Sequence, residues 1–273
     1  MENTLYQIFL FIFGSCIGSF LNVYRFRYSK SISIIYPSSF CPKCKKNISW
    51  YLNIPIISWI FLRGKCFFCK KNIPISYPFI EFLTGILFFL CGFSNYVFST
   101  NYLVNLIGLV LFTSIIISIS LIDFDHLVIP NDILIFGTGV GLVFNLITSK
   151  ISYGDKFLTI IYEHLFLSLI FVISFEILNL IITLIIKKEA FGFGDTKYLF
   201  MISTWLGVSG GVTTLLISIY VAGFTTIFLI LIKQISRKGK IPFGPYLSIS
   251  AFSIIIFGSD NIISFFKNLY SLS

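Results

Sequence analysis

Residues 103–122 read LVNLIGLVLFTSIIISISLI, and Asp123, Phe124, Asp125 and His126 follow directly. At 1.5 Å per residue, this uncharged stretch of 20 residues is long enough to cross the roughly 30 Å hydrocarbon core of a bilayer as one helix. It ends on two carboxylates, so the same segment sets the fold class and supplies the first candidates for chemistry.

The rest of the chain has the same character. Its 273 residues are 56% hydrophobic and 11% charged, with a mean hydropathy of +0.94, outside the range of soluble domains. Further apolar stretches cover 5–23, 78–94, 133–148, 158–186, 198–208, 212–232 and 245–266. With 103–122 they predict an all-α polytopic membrane protein of about eight transmembrane helices. Their recurrence along the chain argues against a cleaved signal peptide followed by a soluble domain. The sixth and seventh spans are separated by Gly207, Gly210 and Gly211, a pattern that also fits a re-entrant bend.

The net charge of +9 is a topology signal rather than a sign of a nucleic-acid partner. With the N-terminus outside, 17 of the 20 lysines and arginines fall in the inside segments 24–77, 123–132, 187–197 and 233–244, and 3 fall outside. The positive-inside rule then predicts a multi-pass protein with the ends of the third and fifth spans facing the cytoplasm.

The long polar segment 24–77 holds Cys41-x2-Cys44 and, after 21 intervening residues, Cys66-x2-Cys69. Two such pairs suit a closed structural zinc site, each pair supplying two corners of a tetrahedron. Four thiolates leave no open position for a catalytic water, and a cytoplasmic location disfavours disulfides. Cys16 and Cys91 lie in apolar spans and read as core residues. The expected organisation is a first transmembrane helix (1–23), a small cytoplasmic zinc-binding insertion between helices 1 and 2 (24–77), and a membrane-embedded domain (78–273).

Acidic side chains in or beside membrane helices cost about 2.5–3.5 kcal/mol at mid-bilayer, so they are functional candidates by default. Asp123 and Asp125 precede a turn at Pro130 and Asn131. Asp195 closes Gly192-Phe193-Gly194-Asp195, where glycines admit a close backbone approach. An even number of crossings separates Asp123 from Asp195, so both lie at one membrane face. Two carboxylates sharing a proton there would suit aspartyl-protease chemistry. Spacing alone equally fits Asp195 as a helix cap and Asp123 and Asp125 as interfacial charges. Glu163, His164 and Glu176 read as snorkelling or helix-pairing groups.

Several motifs, in order, make the chain resemble the bacterial type IV prepilin peptidases. They are Gly18-Ser19-Phe20-Leu21-Asn22-Val23, the two cysteine pairs, Trp50 through Trp59, Leu62-Arg63-Gly64-Lys65-Cys66 and Tyr77-Pro78-Phe79-Ile80-Glu81. They continue with Asp123 and its Pro130-Asn131, Gly192 through Lys197, and Pro242-Phe243-Gly244-Pro245-Tyr246. The resemblance implies an endopeptidase with catalytic Asp123 and Asp195, and with Gly192 and Gly194 near the substrate. It would remove the basic leader of type IV prepilins or pseudopilins at the cytoplasmic face of the membrane. It further implies N-methylation of the new terminus from S-adenosylmethionine, but does not place the donor site residue by residue; Glu81, at the boundary of the second helix, is a candidate by position alone. Leu52, Pro74 and Ser76 depart from the family's usual residues, all within the polar segment or at its edge. Alternatives are a peptidase without methyltransferase activity and a non-catalytic membrane assembly component.

Overall fold

The structure is a computed structural model that describes residues 2–30, 32–93, 102–153, 159, 161–187, 191–233, 241–259 and 261–264. Of the cations in the topology count, Lys156, Lys188, Arg237, Lys238, Lys240 and Lys267 lie outside the described residues, as do residues 260, 265 and 266 of the last predicted span. The chain divides into two compact units, Met1–Phe93 and Ser94–Ser273.

In the first unit, α1 (Glu2–Tyr28) packs along α3 (Ser76–Cys91). Small residues let the two backbones meet, as in membrane helix pairs, where packing replaces the hydrophobic effect. A Cβ on Gly14 would lie 2.7 Å from the Phe88 side chain, and one on Gly18 would lie 2.8 Å from the Glu81 Cα. The pairing uses one face of α1. Cys91 is buried as expected, whereas Cys16 is exposed on the outer face of α1, which corrects its reading as a core residue. Lipid, being as apolar as a protein core, accepts a thiol there without protein cover.

Between these helices the chain forms a turn of 3₁₀ helix (Trp50–Asn53), the one-turn α2 (Ile57–Phe61) and two isolated antiparallel bridges, Phe40 with Asn47 and Lys65 with Asn72. Arg27, 3% exposed, ties this segment to α1. Its guanidinium donates to the carbonyls of Ser33 (2.8 Å), Ile34 (2.9 Å), Pro37 (2.6 Å) and Ser38 (3.3 Å). A charge buried this deeply needs several such acceptors.

The second unit contains α4 (Tyr102–His126), α5 (Asn131–Tyr153), a π-helical turn (Tyr162–Leu167) leading into α6 (Ser168–Ile186), α7 (Phe193–Leu231) and α8 (Gly244–Phe257). Phe112, Ile116, Ile119 and Ile122 of α4 pack in a core with Tyr198, Leu199 and Ile202 of α7 and Leu247 of α8. Among the described residues, five helices are long and apolar enough to cross a membrane, and two, α3 and α8, are shorter apolar helices.

The 39 residues of α7 are interrupted at Gly207, where φ is 72° and ψ 175°. In a straight helix Ser203 and Gly211 would stand about 12 Å apart along the axis. Here a Cβ on Gly211 would lie 3.0 Å from the Ser203 Cβ. The chain therefore folds back at Gly207, and the sixth and seventh spans are separate antiparallel segments. Counting both gives eight apolar helical segments among the described residues. The break frees carbonyls at the end of the first segment, which water would satisfy outside a membrane. Side chains do so instead: Ser168 Oγ donates to Ser203 O (3.1 Å), and Asn145 Nδ2 donates to Thr204 O (2.9 Å) and Trp205 O (3.3 Å). His164 Nδ1 lies 3.1 Å from Thr204 O. His164 is thus a helix-pairing residue, one of the two roles its position suggested.

Candidate functional sites

Asp123 sits in the last turn of α4 and is 5% exposed. Its Oδ2 accepts a hydrogen bond of 2.8 Å from the backbone N–H of Gly244, at the start of α8. Only a glycine fits there, because a Cβ would stand 2.7 Å from the same oxygen. A buried hydrogen-bond chain supports this junction from below. The Ser248 hydroxyl lies 2.8 Å from Gly244 O and 2.7 Å from the hydroxyl of the fully buried Tyr198.

Asp195 sits in the first turn of α7, where its Oδ2 accepts from the Gly192 N–H at 3.2 Å. The capping reading of this residue is therefore correct as far as it goes. Asp195 also lies close enough to Asp123 for their charges to interact, which a cap alone does not require. The turn after α4 reaches the same place. Ile129 packs against Gly194, whose added Cβ would be 3.4 Å from the Ile129 Cβ, and Lys197 Nζ donates to Asn131 Oδ1 at 3.0 Å. Residues 72 positions apart in sequence, Asp123 and Asp195, are thus brought to one end of the second unit. Asp125 is exposed, about 200° around the helix from Asp123.

The Gly192–Asp195 turn is braced by two residues of α6 three positions apart. Asn179 donates to Phe191 O (3.1 Å) and accepts from Phe191 N (3.2 Å), while Glu176 Oε2 accepts from the Thr196 hydroxyl at 2.6 Å. Glu176 pairs two helices, as its position suggested. Sequence reasoning missed Asn179, Tyr198, Ser248 and the Gly244 amide. For Asn179, Tyr198 and Ser248 the signal that could have found them is a polar residue inside an apolar span, which needs a partner; the Gly244 amide has no such signal.

In the first unit the four predicted cysteines come together, with their sulfurs all within 4.8 Å of one another and Cys41 Sγ 4.0 Å from Cys69 Sγ. Zinc–sulfur bonds of about 2.3 Å in a tetrahedron separate sulfurs by about 3.8 Å, so the donor set fits a closed zinc site. The two halves are built alike, from Cys41-x2-Cys44-Lys45-Lys46-Asn47 and Cys66-x2-Cys69-Lys70-Lys71-Asn72. In each the first cysteine's N–H donates to the second lysine's carbonyl, at 3.0 Å and 2.9 Å. In each the first lysine takes a left-handed φ, 58° at Lys45 and 57° at Lys70, which turns the chain under the sulfurs. The repeat of Lys-Lys-Asn after both pairs is a sequence signal of this shared geometry.

The thiols are unequal. Burial pushes Cys66 up, but the amides of Cys69 and Phe68 and the neighbouring thiols hold it down to about 7. The Lys46 amide lowers Cys44, but burial and the thiols of Cys41 and Cys69 outweigh it and raise Cys44 to about 11. Beside the cluster lies a cavity of about 470 Å3, with Asn22, Arg27, Trp59, Lys71, Tyr77 and Glu81 in its lining. Glu81, 8% exposed, accepts from the Ile56 N–H at 2.7 Å.

Fold and sites together define a multi-pass helical membrane protein with two acids gathered at helix ends in one unit and a four-cysteine cluster in the other. Residues 12–95 match the bacterial peptidase A24 N-terminal domain, and residues 110–227 match the type IV leader peptidase family. The chain is 30% identical to the prepilin leader peptidase/N-methyltransferase of Neisseria gonorrhoeae, over 92% of this chain and 90% of that one. It is 29% identical to the protein of the same name from Aeromonas hydrophila, over 94% of this chain and 92% of that one. The protein of that name from Klebsiella pneumoniae is 31% identical, over 78% of this chain and 91% of its own length. No solved structure matches the chain. The chain belongs to the type IV leader peptidase family.

Proposed function

We propose that this protein cuts the leader from type IV prepilins or pseudopilins with Asp123 and Asp195 as its catalytic pair, and then methylates the new N-terminus. The observation that carries the peptidase reading is the convergence of Asp123, held by the Gly244 amide, with Asp195 in its glycine turn. Two adjacent carboxylates retain one proton between them. The ionised one takes a proton from water as the water oxygen attacks the scissile carbonyl, and the protonated one donates to the carbonyl oxygen. Collapse of the tetrahedral intermediate breaks the C–N bond as the amine leaves with a proton from the pair. Gly192, with no side chain, leaves room for a substrate backbone beside Asp195, while Gly194 lets Ile129 of the turn after α4 close in behind the acid.

The orientation that suits this chemistry has the N-terminus outside and the acids at the cytoplasmic face of the inner membrane, in keeping with the 17 to 3 division of cations. There the scissile bond of a substrate helix, at its junction with a basic leader, meets the pair. Zinc in the four-cysteine cluster has a structural role in this reading. For methylation, S-adenosylmethionine is the donor, and the 470 Å3 cavity with Glu81 in its wall is of a size to hold it.

The test is incubation of membranes containing this protein with a prepilin substrate and S-adenosylmethionine, followed by mass spectrometry of the product's N-terminus. Cleavage before the hydrophobic helix together with a mass gain of one methyl group is the expected result. A cut without the methyl group would leave the peptidase and remove the second activity, and an intact leader would overturn the reading.

A further inference from the structure

We propose that the outer face of residues 50–61 is immersed in the bilayer interface, holding the cysteine-bearing segment flat on an anionic lipid surface. Within these residues Trp50 is 81% exposed, Tyr51 55%, Ile57 51%, Ile60 61% and Phe61 83%. Ile57, Ile60 and Phe61 fall at i, i+3 and i+4 of α2, so they share one side of the turn. The residues between them face the other way. Ser58 Oγ donates to Tyr51 O at 3.2 Å and accepts from Ile54 N at 3.0 Å, and Trp59 Nε1 donates to Ile73 O at 3.2 Å. The segment is therefore a folded amphipathic element, with the polar groups of Ser58 and Trp59 bonded within the segment and its apolar side chains left uncovered.

The depth of this element is fixed by a hydrogen bond. Ile56 N donates to Glu81, the sixth residue of α3, which places Ile56 about 7 Å along the axis from the helix start. At 16 residues, α3 is about 24 Å long, less than the roughly 30 Å hydrocarbon core, so its start cannot stand far outside the membrane. Amphipathic helices at a membrane surface bury their apolar faces about 5–10 Å deep. Residues 50–61 lie at that level, and tryptophan and tyrosine are the side chains that favour it.

Charge selects the kind of surface. Segment 24–77 contains 10 lysines and arginines and no aspartate or glutamate. Lys43, Lys45, Lys65 and Lys70 are exposed. Each basic residue near an anionic leaflet adds to the attraction between segment and surface. The occupant is thus a lipid surface bearing anionic headgroups, continuous with the bilayer that α1 and α3 enter.

Fluorescence depth measurement tests this on the full-length, zinc-loaded protein reconstituted in phosphatidylglycerol vesicles. The difference between the wild type and Trp50→Phe isolates the emission of Trp50, and a second reporter, Phe61→Trp in the Trp50→Phe background, samples the other end of the face. Lipids brominated near the glycerol end of their acyl chains are expected to quench both reporters at least about twofold, while aqueous iodide leaves them nearly unchanged. Quenching by iodide but not by bromine would place the face in water and overturn the proposal. Protection from both quenchers would place protein over the face and overturn it equally. The outcome does not depend on peptidase or methyltransferase activity.

Discussion

The backbone N–H of Gly244 donates to Asp123 Oδ2 across 2.8 Å, joining residues 121 positions apart at the point where α8 begins. This bond aims one carboxylate of the proposed pair, and no side chain can stand in the glycine's place. Gly244→Ala puts a carbon 2.7 Å from that oxygen and 3.2 Å from the Asp123 Cβ and Cγ, so the carboxylate must move. A displacement near 1 Å costs roughly 100-fold in rate. Cleavage by Gly244→Ala should fall by about that factor, measured as leader removal at equal amounts of membrane-inserted protein.

Asp123→Asn and Asp195→Asn separate chemistry from capping. Asparagine at 195 can still accept the Gly192 N–H through its amide oxygen, so the start of α7 is kept. It cannot exchange a proton with water or a leaving amine. Each variant should insert normally, lose detectable cleavage, and still methylate a peptide supplied without its leader. Near-normal cleavage by either one would remove it from the mechanism.

Asn179 holds Phe191 by both of its backbone polar groups. Asn179→Ala leaves that N–H and C=O unpaired in an apolar setting, at a cost of about 1–3 kcal/mol for each group left unsatisfied. The turn carrying Asp195 should loosen, and cleavage should drop about tenfold or more in kcat. Asn179→Asp, which keeps the acceptor for Phe191 N and loses the donor for Phe191 O, should fall between Ala and wild type. Rates at saturating substrate, compared across the three proteins, check this ordering.

Much of the fold was legible because lipid simplifies the code: uncharged runs such as 103–122 have the length and composition of a span, and Cys41, Cys44, Cys66 and Cys69 point to a metal site by spacing. The reversal at Gly207 was less legible, since a glycine cluster fits both a bend and a hairpin. What decided it were the long-range bonds from Asn145 and Ser168, with His164 close by, to carbonyls freed by the break. The acid site was half legible. The two aspartates stood out by their position in apolar sequence, whereas the Gly244 amide is a backbone group with no side-chain signature. Asn179 and Glu176 looked like isolated polar residues because their partners, Phe191 and Thr196, are reached only when α6 and α7 pack together.

The cysteine cluster makes a prediction that turns on proton release. Zinc binds thiolates, so every protonated thiol must lose its proton on binding. In the metal-free protein the Cys66 thiol is held down to about 7 and the Cys44 thiol is pushed up to about 11, so at neutral pH Cys44 is protonated and Cys66 is divided between its two forms. Raising the pH removes this competition and lowering it adds to it. Apparent zinc affinity should therefore climb as pH rises through 7 and continue to climb toward 11. Acidification below 7 should release the metal. Competition with a chromophoric chelator across this range measures the slope, alongside a stoichiometry of one zinc per chain. Cys66→Ser removes one of the four sulfurs and should weaken binding throughout this range. An affinity that did not change with pH would mean that the four sulfurs are not the ligands.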